Sequence, residues 1–290
     1  MKRLMSDLAV AYPKTLKEAC RLQADPATRG KLLAGGTDLV AQWAAGVPLP
    51  ERVTSLRMVR GLDEIRVLAD GTVRVGALVT HALLRDCDLI RRRLPALCAA
   101  SGSVGATQIQ AMGTVGGNAA NASPAGDTAP AMLVTGGRAL AASVRGEREI
   151  PLTDFWTGYR KLALEPDEIL SAFLLPPKPR NAQEGFRKIG TRRAQAISKV
   201  MVAWRIALDR ETGRISDAAI ALGSVAATAV RLPDVEQRLV GRKPTTRLAG
   251  EAAEWARASV KPIADIRSTA EYRLHLAGVL VHDVVAGLVK

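Results

Sequence analysis

The sequence contains few aromatic residues and no long apolar run, and each shortage excludes a class of protein. Phe, Trp and Tyr make up only 3% of the 290 residues, whereas apolar residues make up 48%. The core must therefore consist mainly of Ala, Val and Leu, and a chain of this length can bury an ample one. No apolar run approaches the roughly 20 residues that a membrane-spanning helix needs. These features predict a globular protein of two or three domains without a membrane span.

Cysteine and histidine are too few and too scattered to build a metal centre. The cysteines, Cys20, Cys87 and Cys98, form no CxxC-type cluster, so this chain alone cannot supply the ligands of an iron–sulfur cluster. Their odd number also argues against disulfides. His275 and His282 could share a helical face, but no carboxylate stands at a suitable offset to complete a ligand set. We therefore expect no metal site in this chain.

The chain has a net charge of +13, and the distribution of its basic residues does not favour nucleic-acid binding. The arginines are scattered, apart from short runs at 91–93 and 192–193, and no aromatic residues are interleaved as stacking platforms. We interpret the excess as a solvated basic surface or a docking face for acidic partner subunits. Residues 1–10 include two basic residues but no adequate apolar segment after them, so we expect no secretory signal and a cytoplasmic protein.

Changes in the sequence pattern divide the chain into three predicted domains. Residues 1–55 contain a helix at 14–23, a strand at 31–34 and a helix at 38–45. Residues 56–177 mix hairpins with helices; Asp70-Gly71 is a strong hairpin turn, and Thr80 is a plausible cap for a helical stretch over 80–98. After a proline-rich linker, residues 183–290 begin with three strand-like runs and continue as helices. That order predicts an α+β domain with a three-stranded antiparallel sheet.

Two glycine-rich segments are the candidates for chemistry. The first is Leu33-Ala34-Gly35-Gly36-Thr37-Asp38, in which glycines between a strand and a helix let backbone N–H groups approach an anion. It lacks the GxGxxG pattern and has no Walker lysine, so a structural turn and a phosphate site are both compatible with it.

The second segment, residues 113–127, is more specific. It is almost free of bulky side chains, which lets a ligand lie directly on the backbone. Thr114 and Asn118 offer side-chain donors, and Asp127 offers a carboxylate that could accept hydrogen bonds from ribose hydroxyls. A flexible surface loop is the alternative, but such linkers seldom contain this much Ala and Val beside Asn.

Together the two segments resemble the FAD-binding subunit of the xanthine dehydrogenase and carbon monoxide dehydrogenase family of molybdenum hydroxylases. The resemblance covers essentially the whole chain, and the matching segments follow in the same order. Besides the glycine segments, they are residues 155–161, 165–170, 186–188 with 196–200, and 265–269 with 271–273.

The resemblance implies a vanillyl-alcohol-oxidase-type FAD-binding fold, in which two α/β subdomains enclose FAD and a C-terminal α+β domain closes over it. It implies that the first segment holds the pyrophosphate through backbone amides and that the second segment binds its other side and the ribose. The implied cofactor-binding residues are Leu33, Ala34, Gly35, Gly36, Thr37, Asp38, Thr114, Gly117, Asn118, Asp127, Leu170 and Lys188.

Two details bear on this assignment. Relatives often have an Arg-Asn pair just before the second segment, where this chain has Gln110-Ala111, so any contact made by that arginine is in doubt. No histidine near these segments is suited to covalent flavin attachment, so non-covalent FAD is expected.

The family assignment implies a division of labour among subunits. A large subunit would carry the molybdenum cofactor, a small subunit would carry 2Fe-2S clusters, and this chain would pass electrons through FAD to an external acceptor, in a dimer of heterotrimers. Two alternatives are a self-sufficient flavin oxidase and a basic nucleic-acid-binding or scaffold protein. Neither explains both glycine segments.

Overall fold

The structure, a computed structural model, describes residues 8–192 and 194–289. Residues 1–7, which belong to the segment assessed for a secretory signal, and Arg193 of the basic pair lie outside the described residues. Within the described ranges, no helix is long and apolar enough to cross a bilayer.

The secondary structure is a mixture of short strands and helices. The strands are β1 (Ala9–Ala11), β2 (Lys31–Leu33), β3 (Arg52–Ser55), β4 (Ile65–Val67), β5 (Val73–Gly76), β6 (Arg138–Ser143), β7 (Gly146–Pro151), β8 (Trp156–Gly158), β9 (Lys161–Leu162), β10 (Ile169–Leu175), β11 (Ala182–Ile189), β12 (Val200–Leu208), β13 (Ile215–Gly223) and β14 (Val230–Arg231). The helices are α1 (Leu16–Ala24), α2 (Leu39–Ala44), α3 (His81–Asp86), α4 (Asp88–Arg93), α5 (Pro95–Gly102), α6 (Thr107–Met112), α7 (Val115–Ala120), α8 (Thr128–Leu133), α9 (Leu152–Phe155), α10 (Pro233–Leu239), α11 (Thr246–Ala258) and α12 (Ala270–Ala286).

A small parallel sheet positions the first glycine segment. Its strand order is β1-β3-β2, so β3 lies in the middle and pairs with β2 in the register Leu33 opposite Ser55. Helix α1 is capped by Thr15, whose side chain accepts a hydrogen bond from Glu18 N, and it buries Ala19 and Cys20. The predicted strand–turn–helix unit is confirmed, since β2 leads through the glycines into α2.

A five-stranded antiparallel sheet, ordered β4-β5-β10-β6-β7, forms the middle of the molecule. The central strand β10 is buried at every position except Leu174, as its apolar sequence requires. The predicted hairpin is confirmed: Asp70 Oδ1 accepts from Thr72 N at 2.9 Å, and Gly71 takes a φ of +87° that suits glycine. Phe155 packs edge-on against Phe173 with ring centroids 6.4 Å apart, which marks the centre of this core.

The helical stretch predicted over residues 80–98 is divided into α3, α4 and α5. Thr80 does cap it, since its side chain accepts from Leu83 N, but the backbone is extended at Cys87 and leaves helical geometry at Leu94. Pro95 begins α5, because proline has no N–H to continue the preceding helix but fits the first turn of a new one.

The C-terminal part is a four-stranded antiparallel sheet ordered β11-β12-β13-β14, packed on α10, α11 and α12. The prediction of three strands was therefore wrong. The fourth strand, β14, has only two residues, Val230 and Arg231, which pair with Leu222 and Ala221 of β13. A pair so short carries no alternation that a sequence pattern could reveal.

A buried ion pair links the C-terminal sheet to the preceding linker and to α5. Arg205 Nε lies 2.5 Å from Glu184 Oε2, and both side chains are almost fully buried. The same guanidinium donates to Pro176 O at 3.1 Å, and Glu184 Oε1 accepts from Ala96 N at 3.1 Å. The linker and α5 are thereby joined to the C-terminal sheet.

Candidate cofactor-binding site

A cleft of about 700 Å³ lies between the parallel sheet and the antiparallel sheet. Its walls come from the two glycine segments, from the start of α3, and from residues around β9 and the start of β10. Nine of the predicted cofactor-binding residues line it: Ala34, Gly35, Gly36, Thr37, Asp38, Thr114, Gly117, Asn118 and Leu170. The other three, Leu33, Asp127 and Lys188, do not line it. The structure therefore brings together most of the residues that the sequence singled out from three distant segments.

The two glycine segments are in direct contact. A Cβ atom added to Gly35 would lie only 1.9 Å from the carbonyl oxygen of Met112, so no other residue fits there without moving one of the segments. A Cβ on Gly117 would lie 3.8 Å from Ala34 Cβ. The glycines thus allow the two backbones to touch each other where they line the cleft.

The first segment offers unpaired backbone donors. The N–H groups of Gly35, Gly36 and Thr37 have no acceptor among the described residues. Gly36 has a φ of +74°, a conformation that favours glycine, and its carbonyl accepts from Val40 N at 3.0 Å. A buried or half-buried N–H without a partner is costly, and an anionic ligand in the cleft would satisfy these groups.

The second segment uses its own backbone donors to fix its shape. Val115 N donates to Val79 O and Gly116 N donates to Ala77 O, each at 2.9 Å. Gly117 N donates to the hydroxyl oxygen of Thr114 at 3.1 Å, which caps α7. The first half of this segment, which a flexible loop could also have explained, is therefore a short helix whose start is hydrogen-bonded to Val79 and Ala77.

The side chain of Asn118 is oriented so that a donor remains available. Its Oδ1 accepts from Thr128 Oγ1 at 2.7 Å, while its Nδ2 has no acceptor among the described residues. Since Asn118 lines the cleft, its amide group can donate to a ligand oxygen.

Asp127 and Lys188 form a buried ion pair behind the second segment. Lys188 Nζ lies 2.5 Å from Asp127 Oδ2 and donates to Ser103 O at 3.1 Å. Burial raises the pKa of Asp127 to about 6, although the charge of Lys188 opposes the increase. Asp127 Oδ1 is buried and has no hydrogen-bond partner. The pair therefore connects β11 to the second segment, and one oxygen of the carboxylate has no partner among the described residues.

The charges that line the cleft favour an anionic ligand. Arg29, Lys31 and Arg160 line it, against one carboxylate, that of Asp38, which accepts a hydrogen bond from Gln42. Such a lining suits a pyrophosphate, which carries two negative charges. These three cations are not among the residues predicted to bind the cofactor. Arg160 lies in segment 155–161, which carries part of the family resemblance, and Arg29 and Lys31 stand just before the first glycine segment.

Among the described residues, no group of His, Cys, Asp and Glu could hold a metal ion. The donors assembled in the cleft are backbone amides, an Asn amide and cations, and this set suits a nucleotide-containing cofactor.

Comparisons with known proteins agree with this chemistry. Residues 6–178 match the family model described as FAD binding domain in molybdopterin dehydrogenase, and residues 186–288 match the CO dehydrogenase flavoprotein C-terminal domain. A putative xanthine dehydrogenase FAD-binding subunit of Escherichia coli (strain K12) is 33% identical over 94% of this chain and 92% of its own length. The nicotine 6-hydroxylase medium subunit of Paenarthrobacter nicotinovorans is 31% identical over 95% of each chain.

The fold is also similar to that of a protein whose structure has been solved. A chain of carbon monoxide dehydrogenase from Hydrogenophaga pseudoflava superposes with a TM-score of 0.90 at 26% identity, covering 95% of each chain. Family models that span nearly the whole sequence, and a cleft built of the two glycine segments, lead to one conclusion. This chain is an FAD-binding oxidoreductase subunit that belongs to the xanthine dehydrogenase and carbon monoxide dehydrogenase family of molybdenum hydroxylases.

Proposed function

We propose that this chain is the electron-transfer subunit of a molybdenum-containing hydroxylase, receiving electrons from 2Fe-2S clusters on a small partner subunit and passing them to an external acceptor. The observation that carries the proposal is the cleft in which both glycine segments meet. When bound, FAD supplies the redox chemistry, while the protein supplies binding, orientation and electrostatics. The named relatives include a medium subunit, which supports an assembly with a large and a small partner.

Different residues would bind different parts of FAD, according to the hydrogen-bonding groups that they carry. The free amides of Gly35, Gly36 and Thr37 would hold the pyrophosphate, with Leu33, Ala34 and Asp38 completing that segment. Asn118 Nδ2 would donate from the opposite side, supported by Thr114 and Gly117.

The three remaining assigned residues, Asp127, Lys188 and Leu170, would have different roles. Asp127 and Lys188 do not themselves line the cleft; a ribose hydroxyl of bound FAD would donate to the unpartnered Oδ1 of Asp127, and Lys188 would hold that carboxylate in place. Leu170, at the start of the buried strand β10, would provide an apolar contact to the cofactor.

At the level of architecture, we propose the vanillyl-alcohol-oxidase-type arrangement, with subdomains at residues 1–55 and 56–177 and a C-terminal domain at 183–290. The position of the cleft between the parallel and the antiparallel sheet supports this division. We further propose that FAD is bound non-covalently, that the complex is a cytoplasmic dimer of heterotrimers, and that the basic surface serves docking.

The experiment that tests the function has two stages. Purified protein should show the visible absorption of oxidised flavin, and acid should release FAD from it. Co-expression with a large molybdenum-cofactor subunit and a small 2Fe-2S subunit of the same family should then yield a complex in which the flavin is reduced when the hydroxylase substrate is added. Flavin that is reduced by an organic substrate without partners would favour a self-sufficient oxidase. A colourless chain that takes up no FAD but binds polyanions with steep salt dependence would favour the nucleic-acid alternative.

A further inference from the structure

His81, the first residue of α3, is a buried polar side chain that the assignment above leaves without a role. It is only 1% exposed, and it lines the cleft. Its Nδ1 atom is buried without a hydrogen-bond partner. A buried N–H without an acceptor costs more than an unprotonated ring nitrogen, so the proton of the neutral ring belongs on Nε2 and not on Nδ1.

Backbone pairing holds His81 where the two glycine segments meet. His81 N donates to Gly113 O at 3.0 Å, and Val115 N donates to Val79 O at 2.9 Å, so the start of α3 is fixed along the second segment. A Cβ atom on Gly113 would lie 3.3 Å from both His81 Cδ2 and Thr37 Oγ1. The Cδ2 atom of the imidazole therefore lies on the side of Gly113, and Nε2, which is bonded to Cδ2, is the ring nitrogen nearer to that side.

The state of the ring suits a hydrogen-bond donor. Burial lowers the pKa of His81 to about 4, so the imidazole is neutral at neutral pH and carries one N–H group. Because Nδ1 has no partner in the interior, Nε2 is the atom through which the ring can form a hydrogen bond.

We propose that His81 is a cofactor-binding residue whose Nε2–H donates a hydrogen bond to a pyrophosphate oxygen of FAD at the junction of the two glycine segments. This inference rests on the FAD site assigned above and adds a side-chain donor to a wall made mainly of backbone amides. A hydrogen bond to a charged oxygen is stronger than one between neutral groups, so its loss should be measurable in affinity.

The test compares ligands that contain and lack the pyrophosphate, using the full-length chain freed of flavin. His81→Leu should bind FAD and ADP about tenfold more weakly than the unmodified chain, a difference of about 1.4 kcal/mol. Its affinity for adenosine, which has no phosphate, should be unchanged. His81→Gln keeps an N–H donor and should retain part of the affinity. His275→Leu, at an exposed histidine, serves as the matched control and should bind FAD normally.

Several outcomes would overturn the proposal. Equal FAD and ADP affinity in His81→Leu would remove the contact, and an equal loss for adenosine would assign His81 to the shape of the cleft instead. If His81→Leu does not fold, nitrogen NMR of the unmodified chain decides: the His81 Nε2 resonance must shift when ADP is added, and an unshifted resonance refutes the contact. Failure of the unmodified chain to bind FAD would instead overturn the cofactor assignment itself.

Discussion

The two glycine segments meet at the same cleft but are built in opposite ways. In the first, the amides of Gly35, Gly36 and Thr37 have no acceptor among the described residues. In the second, Val115, Gly116 and Gly117 all donate within the protein. The first segment can therefore bind a ligand through its backbone N–H groups. In the second segment those groups bond within the protein, and the Asn118 side chain is the donor that remains for a ligand.

The difference extends to what supports each segment. The first is followed by α2, which buries no residue, and its wall of the cleft is partly exposed. The second is fastened from behind by the Lys188–Asp127 pair and by Ser224 N, which donates to Pro124 O at 2.9 Å. The first segment therefore has little support from the protein, whereas the second is held firmly. Substitutions in the two segments should consequently have different effects on cofactor binding and on stability.

The largest effect on FAD binding is expected for Gly35→Ala, which disrupts the contact between the two segments. The added Cβ would lie 1.9 Å from Met112 O, and a backbone oxygen cannot yield as a flexible side chain can. The segments would be pushed apart, and FAD affinity should fall on the order of a hundredfold. Flavin content after purification measures this.

Gly250→Ala is the control for that variant, since its Cβ would meet nothing within 4 Å. It should retain full flavin content. Normal flavin content in Gly35→Ala would show that the two segments are not required to touch for the cofactor to bind.

The next effect concerns the support of the second segment. Lys188→Met would leave the Asp127 carboxylate buried without its counter-ion, and removing one partner of such a pair costs about 3 kcal/mol of unfolding free energy. Denaturant unfolding measures the loss, and the double variant with Asp127→Asn should recover part of it. Lys243→Met, at an exposed lysine, should be neutral. Equal stability of Lys188→Met and Lys243→Met would show that the pair does not fasten this segment.

Asn118→Asp probes the donor that the second segment contributes to the cleft. It replaces an amide donor with a negative charge that faces the proposed pyrophosphate, and FAD affinity should fall about tenfold. Arg92→Ala, at an exposed arginine away from the cleft, should leave affinity unchanged. Equal flavin content in both variants would count against the position assigned to Asn118.

The glycine segments could be predicted from the sequence because their chemistry is local. Two stretches of consecutive residues are recognisable in the sequence: Ala34-Gly35-Gly36-Thr37 and the small residues around Asn118. Nine of the residues predicted from these motifs and from the family resemblance line the cleft. The free amides of the first segment also follow from its strand–turn–helix position, since a sharp turn leaves N–H groups unpaired.

What could not be predicted depends on contacts between distant residues. Tertiary packing determines the pairing of β14 with β13 and the position of His81 beside Gly113. Neither contact produces a periodic pattern in the sequence from which it could be predicted. Lys188 and Asp127 are 61 positions apart, so the sequence shows each of them as a separate cofactor residue and does not show that they pair with each other.

The smallest effect, a change in stability with pH, also separates the two walls, because the buried carboxyl belongs to the second. The pKa of Asp127 is raised from 3.8 to about 6 in the folded chain, so between these values the folded state binds more protons than the unfolded state. The contribution of this group to stability therefore decreases as pH rises through that window. Relative to Asp127→Asn, the unmodified chain should gain about 1 kcal/mol of unfolding free energy between pH 7 and pH 5, as denaturant titrations at both values can measure. The paired comparison removes the contribution of the other carboxyl groups. A difference that stays constant would mean that Asp127 titrates like an exposed group, and a change in the opposite direction would mean that the charge of Lys188 outweighs burial and lowers the pKa of Asp127.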